Sequence, residues 1–158
     1  MAEKPSTTMI PRVLGIAMIV FAGLGIAFTA ASLTKLGTLA GIQVSAVHVG
    51  PLRTFQLVSA VTGLVVDGLE LSAGVFAVTY RQWAPRLSAV YCAAALLRVA
   101  ALVMLYFGTV APIVKTLGSE LARGYGFGVV FRHCILLAWI VLVIALMQRK
   151  NVRQACNH

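Results

Sequence analysis

Phe55-Gln-Leu-Val-Ser-Ala-Val-Thr-Gly-Leu-Val-Val-Asp-Gly-Leu-Glu-Leu-Ser-Ala-Gly-Val-Phe-Ala-Val78 runs into Thr79-Tyr-Arg-Gln-Trp-Ala-Pro-Arg86, and a second apolar run follows from Leu87 to Val110. A helix needs about 20 mostly apolar residues to cross about 30 Å of hydrocarbon, and both runs exceed that. The link between them carries Arg81 and Arg86 beside Tyr80 and Trp83, which suits a tight turn at a membrane interface. The segment therefore reads as a transmembrane hairpin.

Working outward, Val13 to Leu33 precedes this hairpin and Phe127 to Met147 follows it, each again of spanning length. Of the 158 residues, 60% are apolar and 11% charged, against about 45–50% and about 25% in soluble domains. The fold class expected is all-α: one domain over 1–158, with four transmembrane helices (13–33, 55–78, 87–110 and 127–147) as a bundle. Thr29-Ala30-Ala31 offers a small-residue cleavage site, but a first span of this length followed by Lys35 reads as an uncleaved anchor. The two outer connections, 34–54 and 111–126, read as interfacial amphipathic segments, with Leu33, Leu36, Leu39 and Val44 striping the first and Ile113, Val114, Leu117 and Leu121 the second.

Short cytoplasmic loops are rich in Lys and Arg. Lys4, Arg12, Arg81, Arg86, Arg149, Lys150 and Arg153 make seven on one side, whereas Lys35, Arg53, Lys115 and Arg123 make four on the other. Both termini are thus expected in the cytoplasm, in a cell inner membrane. The net charge of +9 is then mainly a topology signal with attraction to anionic headgroups. No basic groove for nucleic acid is visible.

The charges inside the spans are fewer and more costly, at about 2.5–3.5 kcal/mol each near the bilayer centre. They are Asp67 and Glu70 in the second span, Arg98 in the third, and Arg132 with His133 in the fourth. By helical rise they stand at about 21, 16, 18, 26 and 24 Å from the basic end, within about two turns of one another. Asp67 and Glu70 share a helix face, in line with Ser59, Gly63 and Gly74, and small residues at Gly23, Ala27 and Ala31 or at Ala89 and Ala93 are expected to receive it. The five residues form the candidate site. Two carboxylates facing two guanidinia either fix helix packing, or carry a function as a proton carrier or an anion site, or leave a charge to pair with a partner subunit.

Signatures of other chemistry are missing. Cys92, Cys134 and Cys156 stand singly, only His133 among three His lies in a span, and no Walker loop, nucleophile elbow or His-Glu-x-x-His occurs. No metal, no cofactor and no catalytic residue is expected, and an enzyme is the less favoured class.

Pro11-Arg-Val-Leu-Gly-Ile-Ala-Met-Ile-Val-Phe-Ala-Gly-Leu-Gly25 and Gly74-Val-Phe-Ala-Val-Thr-Tyr-Arg-Gln-Trp-Ala-Pro-Arg-Leu87 resemble small uncharacterised bacterial four-span membrane proteins, in which a Gly-rich first helix and an Arg-x-Trp-Ala-x-x-Leu turn recur. The resemblance covers about the first 90 residues. It implies a bacterial inner membrane and no particular reaction.

Three functions follow in order of expectation. The first is an accessory, scaffold or assembly subunit of a larger membrane complex, because the chain has almost no extramembrane domain. The second is a small ion- or proton-coupled transporter or channel using Asp67, Glu70 and Arg98. The third is a lipid-binding or lipid-modifying membrane protein. The partners expected are the lipid bilayer and other membrane subunits or a homo-oligomer.

Overall fold

The computed structural model describes residues 9–39, 46–116 and 119–156. Among these residues six α-helices follow one another: α1 (Met9–Leu39), α2 (Ala46–Val78), α3 (Ala84–Leu105), α4 (Ala111–Thr116), α5 (Ser119–Met147) and α6 (Lys150–Cys156). A π-helical turn, Tyr106–Val110, joins α3 to α4, and no strand occurs among the described residues. Lipid offers no partner to a backbone N–H or C=O, so apolar runs of this length close their hydrogen bonds internally as helices.

Four stretches are long and apolar enough to cross a membrane: Met9–Ala31, Arg53–Val78, Ala84–Lys115 and Gly126–Met147. The architecture is thus the four-helix, all-α bundle of a multi-pass membrane protein. Contacts run from α1 to α2, α2 to α3 and α3 to α5, while α5 barely touches α1.

The outer connections take a different form from the expected flat segments. α1 continues to Leu39 and α2 already begins at Ala46; the second connection divides between α4, a prolongation of the third span, and the start of α5. Pro112 explains the junction. It lacks an N–H, and its ring presses on the carbonyl four residues earlier, at Gly108. The chain widens there instead of breaking, with the Ala111 N–H donating to the Tyr106 carbonyl in an i→i+5 bond. The stripe residues Leu33, Leu36, Leu39 and Val44, with Leu117 and Leu121, lie outside the residues whose side chains are described.

The 2–3 turn is built locally. α2 ends with Tyr80 at φ 52°, a left-handed position that glycine usually fills. The Arg81 N–H reaches back to the Phe76 carbonyl and the Tyr80 N–H to that of Ala77, the paired bonds of a Schellman end. Pro85 then opens α3, where a missing N–H is harmless. Arg12 lies over the Tyr80 ring at 5.0 Å and Arg86 over Trp83 at 5.1 Å, so two of the basic residues are held against aromatic faces at this end.

Helices in lipid associate through packing, since burial from water gives no drive there. α1 and α2 meet most closely at Gly15 and Gly74: a Cβ on Gly15 would stand 2.7 Å from the Gly74 carbonyl oxygen, and one on Gly74 2.8 Å from that of Gly15. The small-residue stripes expected at Gly23, Ala27 and Ala31 and at Ala89 and Ala93 are instead exposed. α1 uses Gly15, Met18, Ala22 and Gly25, a face that combines close backbone approach with side-chain volume; small residues alone leave too few atoms in contact.

The core holds Met18, Ala73, Ala77, Tyr91, Ala95, Ile140 and Val143, and it extends to Val152 and Cys156 of α6. The basic tail therefore ends in a short helix tucked beneath α1, α3 and α5. Burial pushes the Cys156 thiol up from its ordinary range.

Candidate functional site

α2 presents both span carboxylates, but they serve different neighbours. Glu70 is 5% exposed and turns toward α5, where the Trp139 Nε1–H donates to its Oε1 at 2.6 Å. Each of these residues stands about 12 Å by helical rise inside the end of its helix, Val78 or Met147, and the two helices run in the same direction. They therefore meet level. Tyr91 of α3 joins this layer from the third side; it is fully buried, and its hydroxyl neighbours Glu70 and Trp139 without closing a hydrogen bond. Phe21 of α1 packs on the Trp139 ring at 4.6 Å, so all four spanning helices contribute.

Asp67 lies one turn farther from the basic end, in a second layer. A Cβ on Gly25 would stand 2.6 Å from Asp67 Oδ2, so the carboxylate occupies the notch that this glycine leaves in α1. Arg98 is seated in the same manner. A Cβ on Gly63 would come within 2.9 Å of its Nη2. Its Nε donates to Thr62 Oγ1 at 3.3 Å and Nη2 to the Ser59 carbonyl at 3.0 Å.

The guanidinium grip on a carboxylate expected from the sequence is not formed: no span carboxylate makes a salt bridge among the described residues, and Asp67 makes no hydrogen bond there. Reach explains this. Ser59 lies about 12 Å beyond Asp67 along α2, and the Arg98 side chain extends toward it, away from the basic end. Asp67 instead senses Arg98 and Arg132 through space.

Arg132 is exposed on α5, with its guanidinium 5.7 Å from the Phe28 ring of α1. His133 is turned to its own helix, its Nδ1 lying 2.6 Å from the Val129 carbonyl. That oxygen only accepts, so Nδ1 carries the proton. The five candidate residues thus divide into a Glu70 layer, a layer of Asp67, Arg98 and Arg132, and a His133 that joins neither.

Trp139, Tyr91 and Gly25 belong to the arrangement and are not among the residues that the sequence singles out, whereas Gly63 lies on the small face read from it and proves to seat Arg98. Trp139 left a signal, because an indole N–H in the middle of a span needs an acceptor and Glu70 is level with it. No three metal-binding side chains converge among the described residues. What the site offers is hydrogen bonding and charge: one buried carboxyl on an indole donor, and beyond it one carboxylate within electrostatic reach of two guanidinia, in a setting of low polarity.

No protein-family model matches the chain, and no curated protein or solved structure shows significant similarity to it.

Proposed function

We propose that this protein is an accessory or scaffold subunit of a larger membrane assembly, resident in a cell inner membrane of bacterial type with both termini cytoplasmic. The observation that carries this reading is the fourth span. Only 11% of its most apolar window is buried within the chain, against 33% for the second and third spans. On that open helix Arg132 is exposed about 9 Å inside the Gly126 end of the span. A guanidinium at such depth faces a polar or acidic group far more favourably than hydrocarbon. A membrane helix of a partner laid on α5 supplies one. The orientation rests on the seven-to-four distribution of Lys and Arg between the two ends.

Extraction in mild detergent, native sizing and mass spectrometry test the proposal. A larger complex with another membrane chain is expected, lost in Arg132→Leu while the isolated protein stays helical and monodisperse. A wild-type protein that runs alone, as a monomer or homo-oligomer, sinks it.

A second reading, ion- or proton-coupled transport, is supported by Asp67, half-buried and within electrostatic reach of Arg98 and Arg132 without a hydrogen bond among the described residues. Proteoliposomes loaded with a pH-sensitive dye decide it. Identical responses of wild type and Asp67→Asn across a broad solute panel would end that reading.

A further inference from the structure

About 18 Å along α5 from Arg132, a groove of about 230 Å³ runs between α3 and α5 at the basic end of the bundle. Its walls include Ser88, Ala89, Ala93 and Leu96 of α3, with Ile144 of α5 and Gln148 just beyond it. The groove exists because Ala89 and Ala93 are too small to fill the space facing Ile144; all three are exposed. From Pro85 to Leu96 it extends about 16 Å along α3. That is about the depth of one leaflet, half of the ~30 Å hydrocarbon layer.

The rim has a different character. Arg86, Arg149, Lys150 and Arg153 are all exposed, and Arg86 and Arg149 directly adjoin the lining residues Pro85 and Gln148 in the chain. Gln148 is oriented there by Arg153, whose Nη2 donates to its Oε1. Among the described residues the acidic ones are Asp67 and Glu70, deep in the bundle, and Glu120, on a helix start at its other end, so no described acidic residue is placed to neutralise these cations. One turn inside the mouth, Ser88 is 1% exposed and its hydroxyl closes no hydrogen bond. A buried hydroxyl without an acceptor is uncommon and costly.

Apolar walls one leaflet deep, a hydroxyl lacking an acceptor near the mouth and a cationic rim together match one kind of molecule. We infer that the α3–α5 groove is a binding site for an anionic glycerophospholipid. One acyl chain lies along Ala89, Ala93 and Leu96, an ester carbonyl reaches the depth of Ser88, and the headgroup phosphate meets Arg149, Lys150 and Arg86. Basic pockets between membrane helices recognise anionic headgroups on this principle. The site is separate from the Arg132 face of α5, so either proposal stands if the other falls.

Native mass spectrometry of the full chain, exchanged into nanodiscs of phosphatidylcholine with an equal share of phosphatidylglycerol, tests the inference. Wild type is expected to retain one phosphatidylglycerol after phosphatidylcholine has been stripped. Arg149→Gln and Lys150→Gln, both at exposed positions, should each lower the ratio of retained phosphatidylglycerol to phosphatidylcholine by about fivefold. Ala93→Leu, which fills the groove, should abolish retention of either lipid; circular dichroism and sizing verify that it is folded, and the two rim variants decide the matter alone if it is not. Equal retention of both lipids by wild type overturns the proposal. So does unchanged retention in the rim variants, or a wild-type dimer that Ala93→Leu splits, which would make the groove an interface between two copies.

Discussion

The α1–α2 hairpin and the α3–α5 hairpin are both made from spans apolar enough to cross a membrane, yet they are held together differently. The first is pinched at Gly15 and Gly74 until the two backbones touch, and it lodges Asp67 against Gly25. The second keeps its alanines at positions 89 and 93 uncovered, leaves a groove at its base and sets Arg132 and most of α5 outward. Apolarity decides which segments enter the membrane. Where small residues fall on a helix decides which of those segments then close on each other, because in lipid an apolar side chain gains nothing by leaving the solvent.

The largest effect expected is therefore in the first hairpin. Gly15→Ala forces a Cβ against the Gly74 backbone, where no side chain can swing away, and should cost about 1–3 kcal/mol. Ala93→Val at the base of the second hairpin should stay within about 0.5 kcal/mol. Thermal unfolding in detergent compares them. If both shift alike, the two hairpins are packed to the same standard.

Of comparable size is the effect of the bond that ties the hairpins to each other. Glu70→Leu leaves the Trp139 N–H without an acceptor and should cost about 1–3 kcal/mol, with a shift in Trp139 emission. Glu70→Gln keeps an acceptor and should restore most of both. An equal loss in the two variants would mean that the carboxylate, rather than the hydrogen bond, holds α2 to α5.

A smaller effect sharpens the notch argument. Gly25→Ala should displace Asp67 and destabilise by about 1 kcal/mol, while the same change made in an Asp67→Ala background should cost almost nothing. A double-mutant cycle read by thermal melting measures the coupling, and a zero value refutes the notch. The smallest change expected is at the 2–3 turn. Tyr80→Gly relieves a left-handed backbone and loses the stacking with Arg12, terms of about 1 kcal/mol and about 0.5–1 kcal/mol that oppose each other. The melting temperature should scarcely move.

The spans, the turn and the shared face of Asp67 and Glu70 could be read from the sequence, because each depends on length, composition or helical period. The partners could not. That Glu70 meets Trp139 depends on how far α2 and α5 are rotated about their own axes. That Arg98 reaches the Ser59 carbonyl instead of a carboxylate depends on the direction taken by a long flexible side chain. The spacing of Gly23, Ala27 and Ala31 reads as a packing stripe, whereas the face in use, Gly15, Met18, Ala22 and Gly25, keeps the usual three- and four-residue helical spacing but mixes large with small residues, so composition does not single it out. α6 was obscured by its charges: Val152 and Cys156 are two buried residues in a tail whose composition reads as solvated.

The widened turn before Pro112 also settles a matter of phase. Leu102, Tyr106, Val110 and Val114 are all buried, and Phe55 packs with them in the far-end core. Side chains spaced strictly by four advance about 40° per step around an α-helix, so over three steps Val114 would stand about 120° away from Leu102. A turn with more residues than usual absorbs much of that drift, as a leap day realigns a calendar, and returns Val114 to the side of the helix that Leu102 occupies. Deleting a single residue from Tyr106–Val110 would leave composition and hydropathy almost untouched while turning everything beyond it to face another way.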